Sequence, residues 1–406
     1  MIGDQPASLK SLLLFSKSMV KHVMIEAGQS NYFTREMNFT MSHRFPVSTL
    51  VAILMALTFV LPSLADELPD PDGKPADMTK KVKVFIIMGQ SNTLEMGRVK
   101  GGKKPEGTLE HAVQNEKLYP FMVDDQGNWT TRKDVRNVHV MGSGGPGKNS
   151  VKRNDWLTVS GGKIGIETGI GHQLGNALDA PVLILKSSIG NRSLGWDLLP
   201  PGSPSYEYEL EIRNRKTKQV EKKTFVYAGY GQSPDKWEKG TEPKPIGWKA
   251  GLQYDGDVAR AKDVLKNLDK FYPGATGYEV AGFLWWQGDK DRYNEGHAAM
   301  YEKNLNSLIA ALRKDFDAPD AKFVCATLGQ TSKENAKGNE KLILDAMMAI
   351  SDASKYPALK GDVATVYTHP LSMGSSSNAH YGGNAKTYMN VGLGMGKAMV
   401  ELLKAN

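Results

Sequence analysis

The sequence predicts an α/β fold, a mostly parallel sheet with helices on both faces, from three observations. Five short, β-branched apolar runs recur along the chain, amphipathic stretches of helical period separate them, and the runs are continuous rather than alternating, as in strands covered on both sides. The composition is that of a globular protein, 40% hydrophobic and 23% charged over 406 residues.

The chain begins with an address. "MSHRFPVSTLVAILMALTFVLPSLADE", from Met41, has a basic start, an apolar centre from Val47 to Leu61 and small residues up to Ala65, the order of a secretory signal peptide. The apolar centre is shorter than the roughly twenty residues of a membrane span. Residues 1–65 therefore read as leader and signal, with a start at Met41, cleavage after Ala65 and a secreted or periplasmic product free of the membrane after cleavage, an uncleaved anchor being the alternative. Asp66 to Lys81, rich in Pro, Asp and Lys, reads as a linker, and 82–406 as the folded domain.

Within that domain the predicted strands are Val82–Met88, Pro181–Ser187, Tyr278–Trp286, Lys322–Leu328 and Asp362–Thr368. "ETGIGHQLGNAL", "DVARAKDVLKNLDKF", "AAMYEKNLNSLIAALRKDF" and "NEKLILDAMMAIS" are the helices before the second to fifth strands, and "NAKTYMNVGLGMGKAMVELLKA" closes the chain. Two stretches break the rhythm. Residues 101–162, rich in Gly, Lys and Asn, read as an irregular insertion, and residues 205–240, where charged and aromatic residues alternate, as an insertion built on a β-hairpin. Such insertions project at the carboxyl ends of strands, where function gathers in open α/β sheets.

Charge and cysteine content narrow the chemistry. The net charge is +7; residues 1–65 hold five Lys/Arg against three Asp/Glu, which leaves 46 against 41 and +5 for the remainder. That excess is scattered, so a nucleic-acid partner is not expected. Cys325 is the only cysteine, in an apolar run, and reads as a buried inert thiol.

The first strand ends in "GQSN", Gly89 to Asn92, which sets a serine at the sheet edge. Alone this is weak, because a serine after a strand is more often a helix cap. A serine hydroxyl needs a base and oxyanion donors to act as a nucleophile. Gly190 follows the second strand, Gln287 and Gly288 the third, and His380 stands on a Gly-rich loop before the last helix.

In this order the chain resembles the SGNH hydrolase superfamily and its sialate O-acetylesterase-like, carbohydrate esterase family 6-like branch. The branch's GQSN is matched by Gly89 to Asn92, its Gly-Gly-Thr/Ser loop loosely by Gly190, Asn191 and Ser193, and its WxQGExD by Trp285, Gln287, Gly288, Asp289 and Asp291. "GIETGI", Gly165 to Ile170, echoes GPExGF, and His380 the histidine loop. The resemblance implies a flavodoxin-like three-layer sandwich around a five-stranded sheet and hydrolysis of O-acyl, chiefly O-acetyl, groups on carbohydrates. It implies Ser91 as nucleophile, His380 as base and then acid, and an oxyanion hole of Ser91 N–H, Gly190 N–H and the Gln287 amide. No cofactor and no metal is implied, and a cation held by "DKDR" or Glu167 is less expected than ordinary charged surface.

One departure leaves alternatives open. The family's aspartate three residues before the histidine is Ser377 here. Either a Ser–His dyad works unaided, or Asp289 or Asp291 reaches His380, or catalysis is lost and the chain is a carbohydrate-binding or scaffold module. Gln90, Asn92, Asn191, Arg192 and Trp286 are the candidate substrate contacts, with Trp196, Trp248 and Trp285 as further stacking surfaces. His172 reads as a packing or surface residue, His297 as solvated, and His369 as a rival base. The sugar and the oligomeric state are not legible.

Overall fold

The computed structural model describes residues 73–405 apart from 102, 148 and 149. The leader, the signal sequence and the first part of the linker lie outside the described residues.

The strands, in chain order, are β1 (Val82–Gly89), β2 (Gly97–Arg98), β3 (Thr131–Met141), β4 (Ser150–Thr158), β5 (Lys163–Ile164), β6 (Val182–Ser187), β7 (Tyr206–Arg213), β8 (Val220–Tyr227), β9 (Lys236–Glu238), β10 (Tyr278–Trp286), β11 (Lys322–Ala326) and β12 (Val363–Val366). The central sheet has seven strands in the order β12-β11-β10-β1-β6-β3-β4. All neighbouring pairs run parallel except β3 with β4. Taken alone, the five strands foreseen from the apolar runs lie in the order 2-1-3-4-5, so the direction of winding reverses beside β1. A crevice forms at such a reversal, beyond the carboxyl ends of the strands.

The period-two alternation of β1 builds both halves of the core. Val84, Ile86 and Met88 pack on one face with Leu265, Leu305 and Met347, from helices Leu252–Lys266, Glu295–Asp315 and Gly338–Ala349. Phe85 and Ile87 pack on the other with Ile170 and Met395, from helices Glu167–Ala177 and Ala385–Lys404. Those last two helices approach closely: a Cβ on Gly392 would lie 2.3 Å from the Ile166 carbonyl oxygen. Among the described residues no helix is long and apolar enough to cross a membrane.

The sheet corrects the five-strand expectation and the reading of 101–162 as irregular, because β3 and β4 extend it by two strands. β3 was hidden by its own polarity: Arg132, Arg136, Asn137 and His139 are all buried there beside Val135, Val138 and Val140, so no apolar run appears in the sequence. Buried polar side chains of this kind need tertiary partners, such as Asp134 for Arg132 and the Phe271 carbonyl for Arg136. The second insertion forms a separate three-stranded antiparallel sheet, β7-β8-β9.

Candidate active site

Ser91 stands two residues beyond the end of β1. Gly89 has φ +147°, and a Cβ there would lie 2.5 Å from the Trp286 carbonyl oxygen, so only glycine lets the chain leave the sheet at this point. Gln90 then staples the exits of β1 and β10. Its Oε1 accepts from the Gln287 amide (3.2 Å), the Gly288 N–H (3.3 Å) and the Lys290 N–H (3.2 Å). Its carbonyl accepts from the Thr93 hydroxyl at 2.7 Å, and that hydroxyl shares a 2.7 Å hydrogen bond with Ser188 beyond β6. Ser91 is left half-buried at the mouth of this construction.

Gly190 faces Ser91, since a Cβ on it would stand 3.4 Å from the Ser91 Cβ. Neither backbone N–H, of Ser91 or of Gly190, meets an acceptor among the described residues. The loop carrying Gly190 is held from below by buried carboxylates. Asp291 accepts from the N–H groups of Leu194 (2.9 Å) and Gly195 (2.8 Å), and Asp197 from the N–H (2.8 Å) and hydroxyl (3.0 Å) of Ser193. Burial pushes both carboxyl groups above the ordinary aspartate range against these bonds.

His380 sits on a turn over Ser377–Gly383 that packs against the Ser91 turn. His380 (φ 51°) and Tyr381 (φ 52°) are both left-handed, a conformation that costs about 1–3 kcal/mol per non-glycine residue and persists only where the surroundings impose it. The surroundings here are specific. The Tyr381 ring is buried and stacked 5.6 Å from Trp286, its hydroxyl accepts from the Gly329 N–H at 3.1 Å, and the Tyr388 hydroxyl donates to the His380 carbonyl at 3.3 Å. The Ser377 hydroxyl donates to Asp289 Oδ1 at 2.7 Å, and Arg292 donates to the same oxygen at 2.8 Å.

The geometry of a serine and a facing glycine amide beyond adjacent strands, with a histidine turn packed against the serine, is joined by a sequence match. Residues 203–401 match the family described as carbohydrate esterase, sialic acid-specific acetylesterase. That match spans 199 of the 406 residues, just under half, and supports a carbohydrate esterase. The chain is a carboxylic ester hydrolase. The matched stretch contains Gln287, Asp289, Asp291 and His380, whereas Ser91 and Gly190 precede it. No curated protein matches the chain.

Three solved structures are similar to the esterase. One is a protein from Arabidopsis thaliana, at 15% identity over 79% of this chain and 98% of that one, with a TM-score of 0.42. A carbohydrate acetylesterase from Xanthomonas citri shows 14% identity over 80% of this chain and 57% of its own, with a TM-score of 0.46. The protein named NanS shows 14% identity over 82% and 100%, with a TM-score of 0.40.

Several sequence-derived roles in the esterase are corrected by burial. Neither Asp289 nor Asp291 pairs with His380: among the described residues no carboxylate oxygen comes within 4.0 Å of its ring nitrogens. Asp291 is wholly buried under the Gly190 loop, and Asp289 meets Ser377, the residue at the family's aspartate position. The Gln287 side chain is also wholly buried, and its amide nitrogen already faces Asp291 (2.5 Å), the Arg192 carbonyl (2.8 Å) and Gln90 (3.2 Å). It braces the Gly190 loop, and its two N–H groups are committed to these protein acceptors.

Gln90, Asn92 and Trp286 are buried and present no surface to a sugar. Trp286 donates to the Thr327 carbonyl at 2.9 Å, and the Asn92 amide finds no partner among the described residues. Asn191 is exposed, and Arg192 is half-buried, donating to Gln253 (3.1 Å) and Ser143 (2.7 Å) with its guanidinium 5.0 Å from the Trp248 ring. Trp285 is core, which leaves half-buried Trp196 and Trp248 of the four tryptophans.

The other histidines and Glu167 are settled by their partners. His172 is buried in the core, His297 is buried against Asp235 at 2.8 Å rather than solvated, and His369 meets the Gly329 carbonyl at 2.9 Å. Glu167 is no surface carboxylate, because it is buried against Lys186 at 2.6 Å. Sequence reading missed Asp197 and Tyr381, which hold the Gly190 loop and the His380 turn. Their only signals were an aspartate four residues after Ser193 and an aromatic directly after His380.

Proposed function

We propose that the protein is an exported serine esterase that removes O-acetyl groups from carbohydrates on a flavodoxin-like sandwich. Ser91 attacks the acyl carbon, His380 takes its proton and returns it to the leaving sugar hydroxyl, and the N–H groups of Ser91 and Gly190 receive the oxyanion. The observation that carries this reading is the apposition of Ser91 and Gly190, two backbone N–H groups without acceptors at neighbouring strand ends. The signal-like segment before Ala65 supports export. Asn191, Arg192 and Trp248 border the entrance and supply a polar rim with one aromatic face for a sugar.

The test is hydrolysis of 4-nitrophenyl acetate and of acetylated sugars by wild type and by Ser91→Ala. The expected outcome is turnover by the wild type and a loss of about 10³-fold or more in kcat for the variant. Equal turnover by both would remove Ser91 from the mechanism. Background-level turnover by wild type on every acetate would instead leave a carbohydrate-binding module.

A further inference from the structure

Behind the His380 turn lies a second cavity of about 330 Å³ that the hydrolytic reading does not use. Its walls include Arg98, Lys104 and Glu106 on one side and Tyr381, Gly382 and Asn384 on the other. Arg98 extends from β2 along the end of the turn: a Cβ on Gly383 would stand 3.4 Å from the Arg98 Cγ and 3.6 Å from its Cζ. Among the described residues the Arg98 side chain has no hydrogen-bond or ion-pair partner, and its Nε is sealed from solvent without an acceptor. The Lys104 ammonium is likewise without a partner among the described residues, and Glu106, the one carboxylate of the lining, is farther than 4.0 Å from both cations.

A desolvated guanidinium N–H without an acceptor is a standing cost that an oxyanion would remove. Arginine presents a planar fork of donors suited to carboxylate, sulfate or phosphate, and a flexible lysine nearby adds a point charge. We propose that this cavity binds an oxyanion group, held by Arg98 and Lys104 against the His380 turn. The group is either an acidic substituent on the acetylated glycan or a free inorganic anion. In both cases its occupancy stiffens the turn that carries the base. The first source rests on the esterase reading, whereas the site itself does not.

Calorimetric titration of sodium sulfate into Ser91→Ala, which requires no hydrolysis, tests the site directly. Millimolar binding is expected, weakened at least tenfold when Arg98→Gln is added and largely restored by Arg98→Lys in its place. No sulfate binding, or binding unchanged by Arg98→Gln, overturns the site whatever the esterase assay returns. Kinetics on the Ser91 enzyme then separate the sources. If the substrate supplies the anion, Arg98→Gln raises KM at least tenfold for acetylated glucuronic acid, leaves KM for acetylated glucose unchanged, and sulfate competes with the acidic sugar alone. If a free anion is the ligand, sulfate changes kcat on both sugars equally and Arg98→Gln abolishes that response. Kinetics that respond neither to sulfate nor to Arg98→Gln overturn the link to the turn.

Discussion

Ser377 occupies the position where the related histidine loops carry an aspartate, and Asp289 brings its carboxylate to that residue from across the site, 2.7 Å from the hydroxyl. The carboxylate here stands on the loop after β10, not on the histidine turn. The physical consequence is a prediction about restoring it. Ser377→Asp alone sets two carboxylates against each other, which raises one pKa and costs about 1–3 kcal/mol of stability. Combined with Asp289→Ser, the same substitution recovers the wild-type melting temperature and gives kcat on 4-nitrophenyl acetate at least tenfold above the single variant, measured by thermal unfolding and steady-state kinetics. Equal melting temperatures for the single and double variants would show that the two positions do not interact.

At the scale of elements, buried charges tie β6 to the helix Glu167–Ala177 and to the segment between β1 and β2. Lys186, near the end of β6, is wholly buried and pairs with Glu167 at 2.6 Å and Glu95 at 3.6 Å. Burial pushes the Glu95 carboxyl upward, yet Lys186, His139 and Arg153 outweigh it and hold the group well below its ordinary range. Removing one partner from such a cluster leaves a buried charge uncompensated. Glu167→Gln is expected to lose about 3–5 kcal/mol in urea unfolding, and Glu167→Gln with Lys186→Met to regain most of it. Because the folded Glu95 pKa is depressed, its contribution is present above the ordinary glutamate pKa and fades as pH falls below it. Glu95→Gln should therefore shallow the acid limb of the stability curve, and an unchanged limb would contradict the pairing.

For the whole molecule, the core sets a second acid sensitivity. His172 is buried 4.6 Å from Phe121, and burial, with Arg132 nearby, pushes its pKa down to about 3. In the unfolded chain it takes a proton near pH 6.5, so folding loses stability as pH falls through the window from about 6.5 to about 3. His172→Leu should gain on wild type by up to about 1.4 kcal/mol per pH unit across that window, read from urea midpoints at several pH values. Parallel curves for the two proteins would show that His172 carries no proton linkage.

The placements of Ser91 and Gly190 beyond strand ends, and of His380 on a turn before the last helix, were legible along the chain, because each lies beside a local signal that needs no partner: a continuous apolar run, a Gly-rich corner, an amphipathic helix. Strands β1, β6, β10, β11 and β12 were legible for the same reason. Strands β3 and β4 were not, since Arg132, Arg136 and His139 read as surface until the fold supplies their burial. The roles of Gln90, Asn92, Gln287, Asp291 and Trp286 were decided the same way. A sequence says which side chains are able to donate, accept or stack, while only tertiary packing says whether water, substrate or another part of the chain is there to receive them. The sequence by itself determined which strand ends carry a serine and a glycine in tight corners; the tertiary structure decided which neighbouring polar side chains stay open to solvent and which are buried as braces, because burial and partners come from packing.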